Sequence, residues 1–199
     1  LTNGHLWIIK QALPLFDHLV VAVGVNPLKK PTFSVEKRVQ MIRKIIAQEL
    51  STGYEFSSGG GTGQYGWKRG NAVDIEELPN GFFLTEGAKI SVASFEHKFL
   101  VNYAYESGMT HIVRGMRDET DFRDEKRFMN IGLDIQKARG VPSNKTVHTV
   151  YLMTPPELTE TSSGAVKAMC GPEGWQDIVR TMVPDVVFKE MEAWMAAKQ

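Results

Sequence analysis

The chain has 199 residues, of which 42% are apolar, and its 23 Lys plus Arg balance 23 Asp plus Glu. That length suits one ordinary α/β domain, or a small domain with an insertion, and the balanced charge excludes a general polyanion-binding surface, so no nucleic-acid partner is expected and any phosphate chemistry must come from local clusters of bases. The single cysteine, Cys170, excludes an intrachain disulfide and fits a reducing, cytoplasmic compartment.

No apolar run approaches the ~20 residues that span a bilayer. The opening residues read as a patterned segment rather than a secretory leader, and no membrane partner is expected. Leu6, Ile9, Leu13 and Phe16 fall near one helical face, with Pro14 bending or ending that helix. His18 to Val25 is a short β-branched run, as expected for a strand buried on both faces of a parallel sheet. After a proline-flanked loop, Ser34 is placed to cap a helix carrying Val35, Val39, Ile42 and Ile46.

Residues 51 to about 88 read as an inserted loop or hairpin. They hold the run Ser57-Ser58-Gly59-Gly60-Gly61-Thr62-Gly63, with Tyr65, Trp67, Lys68 and Arg69 among further glycines. Regular structure resumes with a strand over Lys89 to Ser94. A helix over Phe99 to Ser107 follows, closed by Gly108. His111-Ile112-Val113 is a brief strand. A long polar helix begins near Thr120 with Phe122, Met129 and Leu133 on its apolar side. Val147 to Met153 is a strand, Ser162 opens a short helix, and Pro184 begins a last amphipathic helix with Val187, Met191, Trp194 and Met195 inward. Cys170 reads as a small apolar residue of the interior. The alternation implies a single α/β domain of Rossmann-like, doubly wound type. Its parallel sheet is covered on both faces, and its ligand site lies beyond the carboxyl ends of the strands.

Four polar segments fall where strands should end. Thr2-Asn3-Gly4-His5 opens a helix: its glycine permits close backbone approach, the helix start offers free N–H groups, and the histidine can donate to a phosphoryl oxygen. Lys29-Lys30 sits between prolines that stiffen the loop. Arg114-Gly115-Met116-Arg117 places guanidinium groups three apart, which suits an oligophosphate. Thr161-Ser162-Ser163-Gly164 leads into a helix carrying Lys167 and offers hydroxyl and N–H groups. The first, second and fourth have a plainer alternative, a capped helix or a solvated basic turn.

Their order and spacing carry a resemblance. Thr2-x-Gly4-His5 resembles the T/H-x-G-H motif of the nucleotidyltransferase superfamily. The stretch from Asn26-Pro27 through Lys29-Lys30-Pro31 to Arg38-Val39 is similar to bacterial phosphopantetheine adenylyltransferases. So are Ile112 to Arg117 with Asp121-Phe122, and Tyr151-Leu152-Met153 with Thr161-Ser162-Ser163. The resemblance implies AMP transfer from ATP to 4′-phosphopantetheine, with magnesium accompanying the nucleotide. It implies catalytic roles for His5, Lys29 and Arg114. Gly4, His5, Arg117, Glu125, Ser162 and Ser163 would contact ATP. Lys29, Phe99, Leu100, Asn102 and Arg114 would contact the acceptor, although Phe99 and Leu100 also suit the core and Glu125 an exposed helix face. A homo-oligomer, hexameric in that family, and feedback binding of coenzyme A are implied as well.

The sequence differs from the family pattern in the insertion, in Gly164 where a third serine is usual, and in Thr161 where an apolar residue is usual. A strand and a G-x-F-D-P-type turn precede the T-x-G-H motif in the family and are not in this sequence. Other readings are a nicotinate-mononucleotide adenylyltransferase, a cytidylyltransferase, or a non-catalytic nucleotide- or coenzyme A-binding relative.

Overall fold

The computed structural model describes residues 1–26, 30–50, 54–57, 66–69, 76–77, 82–85 and 88–198. Helix α1 (Asn3–Ala12) runs into a 3₁₀ turn at Leu13–Leu15, where Pro14 sits within the first positions of that turn. The tighter turn accommodates a residue that cannot donate the α-helical hydrogen bond. Strand β1 (His18–Gly24) and helix α2 (Val35–Ile45) follow, with the Ser34 hydroxyl accepting from the Lys37 N–H at 3.2 Å. Next come β2 (Tyr54–Ser57), β3 (Gly66–Arg69), β4 (Glu76–Glu77), β5 (Phe82–Thr85) and β6 (Ala88–Phe95). The second half contains α3 (Leu100–Glu106), β7 (His111–Met116), α4 (Glu119–Ala138), β8 (His148–Met153), α5 (Ser163–Met169), α6 (Trp175–Met182) and α7 (Asp185–Ala196). Helix α6 has no counterpart in the sequence reading, because the glycines and proline around it resemble a loop.

The strands form a four-stranded sheet in the order β1-β6-β5-β4, a β2–β3 hairpin, and a β7–β8 pair. Strands β1 and β6 are parallel, and so are β7 and β8. Strands β4 and β5 add antiparallel to the β6 edge. The 51–88 region thus contributes strands to the sheet as well as a hairpin. Its glycine-rich run 58–65 lies outside the described residues.

Strand β1 is not buried on both faces as expected. Most of its residues are half-buried and both ends are exposed. The reason is its second edge. Residues 18–22 of β1 and 111–115 of β7 line a common cavity, each strand being paired on its other side only among the described residues. Strand β7 is likewise half-buried, with packing contacts on both faces. The position of Gly115 packs against Ile8 of α1, where an added Cβ would come within 2.9 Å of the side chain. Ile112, on the opposite face by strand alternation, packs with Val101, Ala104, Val147 and Ile135 between α3 and α4.

Two larger apolar clusters hold the rest. One joins Ile9 of α1, Val23 of β1, Ile42 and Ile46, and Ile90 and Val92 of β6. The other joins Leu6, Met41 and Ile45 to the C-terminal helices through Val166, Trp175, Val179, Val187, Phe188 and Met191. Trp194 and Met195 are only partly buried, and Cys170 lies at the margin, its thiol donating to the Val166 carbonyl at 3.2 Å. Helix α4 departs most from expectation. Its only buried residue is Gln136, while Phe122, Phe128, Ile131 and Leu133 are exposed. Ile135 packs toward α3, while those four apolar side chains stay exposed in this one chain.

Candidate active site

A cavity of about 1030 Å³ opens between β1 and β7, with α1 on one flank, α3 on the other and the α5 start at its mouth. Gly4, His5, Leu100, Arg114, Arg117, Glu125, Ser162 and Ser163 all line it. These residues are up to 159 positions apart in the chain. Its inner part runs between the two strand edges, and Asp17, His18, Thr110 and His111 line it as well.

The opening turn is built around Thr2, which is almost completely buried and precedes α1 in extended conformation. The Thr2 backbone N–H donates to Nδ1 of His5 at 3.2 Å. A backbone N–H can only donate, so Nδ1 carries the lone pair and Nε2 carries the proton of the neutral ring. His5 is open to the cavity yet crowded by surrounding protein. Burial first, then nearby positive charges including Arg114 and Arg117, push its imidazole down to about 4. At pH 7 the free site therefore presents a neutral Nε2–H donor. Gly4 is adjacent. A Cβ there would lie in ordinary contact, 3.5 Å from the Thr161 carbonyl oxygen, so internal packing by itself does not require the glycine.

Arg114 differs from the expectation of a place directly after a strand. Strand β7 extends through Met116, so Arg114 lies inside it, on the face of Ile112 and α4. There it is gripped side-on by Glu125: Nε donates to Oε2 at 2.9 Å and Nη2 donates to Oε1. Arg117, just past the strand, is gripped in the same way by Asp121, with Nε to Oδ2 at 2.7 Å and Nη2 to Oδ1 at 2.8 Å. These bonds raise both guanidinium pKa values, and the Arg117 contact lowers that of Asp121. A side-on grip uses Nε and one Nη2 proton. The side-on grip leaves the Nη1 protons and the second Nη2 proton of each guanidinium outside these carboxylate pairs.

Asp121 was not singled out for a role from sequence. The available signal was its place four residues beyond Arg117. Glu125 is an ion-pair partner rather than a plain exposed helix acid, and the Tyr151 hydroxyl donates to its backbone carbonyl at 2.9 Å. Ser162 caps α5, its hydroxyl accepting from Ala165 N–H at 3.0 Å, which leaves its own proton to donate. Ser163 begins the helix.

A second cavity of about 360 Å³ lies between α3, α4 and the β7–β8 pair. It is lined mainly by apolar groups, including Phe99, Phe128 and Met129, and it shares Leu100, Ile112, Arg114 and Glu125 with the first. Phe99 belongs to this wall and is 64% exposed, which overturns its core reading. Leu100 borders both cavities. Asn102 lines neither. Lys29 lies outside the described residues, and Lys30 is exposed.

The cytidylyltransferase-like family model matches residues 1–129. The phosphopantetheine adenylyltransferase of Chromobacterium violaceum is 35% identical over 190 residues, covering 96% of this chain and 88% of the relative. The chain belongs to the phosphopantetheine adenylyltransferase family. The enzyme of that name from Neisseria meningitidis is 32% identical over 193 residues, covering 96% of this chain and 86% of its own length. That of Parvibaculum lavamentivorans is 33% identical over 192 residues, covering 95% and 85%. Family membership makes the chain a nucleotidyltransferase, with an α/β fold that holds the parallel strand pairs described above.

Proposed function

We propose that this chain transfers AMP from ATP to 4′-phosphopantetheine, giving dephospho-coenzyme A and pyrophosphate. The observation that carries the reading is the convergence of His5, Arg114, Arg117 and the Ser162–Ser163 helix start on one cavity, beside an apolar cavity that shares Arg114 and Glu125. The first suits a nucleotide triphosphate. The second suits the uncharged arm of the acceptor, with Phe99 and Leu100 along it and Asn102 as an outer contact.

The acceptor phosphate attacks the α-phosphorus in line, and pyrophosphate leaves. No enzyme nucleophile is needed, so the residues act by positioning and by meeting charge. The Nε2–H of His5 donates to the α-phosphoryl oxygens as charge develops. Lys29 meets the attacking phosphate and the α-phosphate. Arg114 presents its outer edge to the phosphate at the junction of the cavities. Arg117, Ser162, Ser163 and the backbone at Gly4 hold the β- and γ-phosphates, and Glu125 keeps Arg114 in place beside the nucleotide.

The site's acids suit magnesium carried by the nucleotide. Asp121 and Glu125 are already engaged by arginines, and the described residues contain no cluster of three or more His, Cys, Asp or Glu able to hold a metal ion. Magnesium would come with ATP, held by phosphates and water, and would neutralise phosphate charge.

We also read the chain as one domain with its 51–88 insertion, working in the cytoplasm as a homo-oligomer. The exposed apolar side chains of α4 support assembly, a hexamer being the expected form, and coenzyme A would occupy both cavities as a feedback ligand. No helix among the described residues is long and apolar enough to cross a membrane. The test is pyrophosphate release with a panel of acceptors and nucleotides. Turnover should require ATP and phosphopantetheine together. Turnover with nicotinate mononucleotide or CTP, and none with phosphopantetheine, would reverse the assignment.

A further inference from the structure

We propose that Tyr151 is a positioning residue for Arg114, its hydroxyl holding the turn of α4 from which Glu125 grips the guanidinium. This rests on the proposed role of Arg114 at the substrate phosphate. Arg114 of β7 and Tyr151 of β8 are direct partners in the parallel register. Paired residues of neighbouring strands project to the same face of a sheet, so both side chains rise toward α4. Both line the second cavity together with Glu125. The Tyr151 hydroxyl donates to the Glu125 backbone carbonyl at 2.9 Å, while the Glu125 carboxylate accepts from Arg114 Nε at 2.9 Å and from Nη2. Two neighbouring strand residues thus converge on one residue of α4, one on its main chain and one on its carboxylate.

The packing of α4 gives that hydroxyl its weight. The C-terminal half of the helix is fixed by its neighbours. Gln136, its only buried residue, makes two hydrogen bonds to the main chain of Val147: Nε2 donates to the carbonyl at 3.2 Å and Oε1 accepts from the N–H at 2.7 Å. Ile135 packs beside it against the cluster of Val101, Ala104 and Val147. Glu125 lies about three turns nearer the start of the helix. Phe122 and Phe128, one turn before and after it, are exposed, so apolar packing does little to fix that end. Polar ties act there instead: Arg114 to Glu125, Arg117 to Asp121, and Tyr151 to the main chain.

These ties differ in what can displace them. A phosphate brought to Arg114 would compete with the Glu125 carboxylate for the guanidinium. It has no such claim on a bond between a phenol and a main-chain carbonyl. That carbonyl has two lone pairs, so it can accept the hydroxyl as well as a helical N–H. Burial first, then the negative charge of Glu125, raise the phenol pKa above its ordinary 10, so the hydroxyl keeps the proton that it donates.

The test is nitrogen NMR of arginine-labelled full-length protein, following solvent exchange of the side-chain Nε–H groups in wild type and Tyr151→Phe, alongside steady-state kinetics. Phenylalanine keeps the ring and removes only the hydroxyl. The Nε–H of Arg117, held by Asp121 one turn earlier on α4, is the internal control. Exchange at Arg114 should quicken about tenfold, the worth of one lost hydrogen bond, while Arg117 stays near wild type. KM for phosphopantetheine should rise severalfold with a smaller change in kcat. In a Glu125→Gln background, where the grip is already weakened, Tyr151→Phe should add little to either. Unchanged exchange at Arg114 would overturn the proposal. Equal quickening at both arginines would do so too, since the hydroxyl would then only steady the helix. A Tyr151→Phe effect on KM as large in the Glu125→Gln background as in wild type would also count against it. If exchange behaves as stated but wild type turns over no phosphopantetheine, the functional assignment fails and the Tyr151 linkage stands.

Discussion

The two parallel strand pairs divide the work unequally. The β1–β6 half packs α1 and α2 through a cluster containing Ile9, Val23, Ile42, Ile46, Ile90 and Val92. The β7–β8 half has a buried cluster of only Val101, Ala104 and Val147, and it holds a charged residue, Arg114, inside a strand. Apolar burial stabilises in proportion to area and needs no particular orientation. A guanidinium held in a fixed direction needs a counter-charge, which Glu125 and Asp121 supply from α4. The first half therefore holds the larger apolar core and the second the two paired arginines, with α1 bridging them through Ile9 on one side and Ile8 against Gly115 on the other.

The largest effects should separate the polar site from the apolar core. His5→Ala should cost on the order of 10²–10³ in kcat, the usual loss for a charge-stabilising donor, while its melting curve stays near wild type. Lys29→Ala should behave alike in the pyrophosphate-release assay. Ile90→Ala, at a fully buried site, should lower unfolding free energy in urea by roughly 2–5 kcal/mol and leave kcat of the folded fraction unchanged. Comparable effects of Ile90→Ala on kcat and stability would break the division.

Gly115→Ala tests the bridge. Its Cβ would meet Ile8 at 2.9 Å, so α1 or β7 must shift, at a cost of roughly 1–3 kcal/mol. Because α1 carries His5, kcat should fall along with the melting temperature, whereas Ile90→Ala lowers only the latter. A smaller effect concerns Asp121→Asn, which loosens Arg117. KM for ATP should rise severalfold with a melting temperature close to wild type, since the pair is partly exposed.

The pH dependence of stability gives the finest test. The folded His5 value of about 4 lies below its ordinary 6.5, so between those values the unfolded chain binds more protons. This contribution is neutral above pH 6.5, and stability falls as pH drops from 6.5 toward 4. Denaturation curves of His5→Gln should show a shallower decline across that window. An unchanged decline would mean that other groups account for it.

Much of this was legible in the sequence because it is local. Periodicity and capping marked α1, α2, β6, β8 and α7, and Gly108 closes α3 with φ of 72° as its position after the helix implied. The motifs around His5, Arg114 and Ser162 gave the family, since each keeps its residues within a few positions. Helix α6 was not legible, because its Gly- and Pro-rich surroundings read as punctuation while its burial comes from Trp175 and Val179 meeting the other helices. Nor was the exposure of α4: an apolar stripe marks a face to be covered and does not say by what.

The sequence by itself determined the chemistry available: a histidine at a helix start, arginines at a strand end, hydroxyls at a second helix start. Only the tertiary structure decided which of these are free and which are held. Arg114 and Arg117 are each gripped along one edge, and His5 is kept neutral by burial and neighbouring cations. Hydrogen bonds and charge shifts depend on distances between groups that the chain order places far apart, and those distances exist only after the helices and strands have packed.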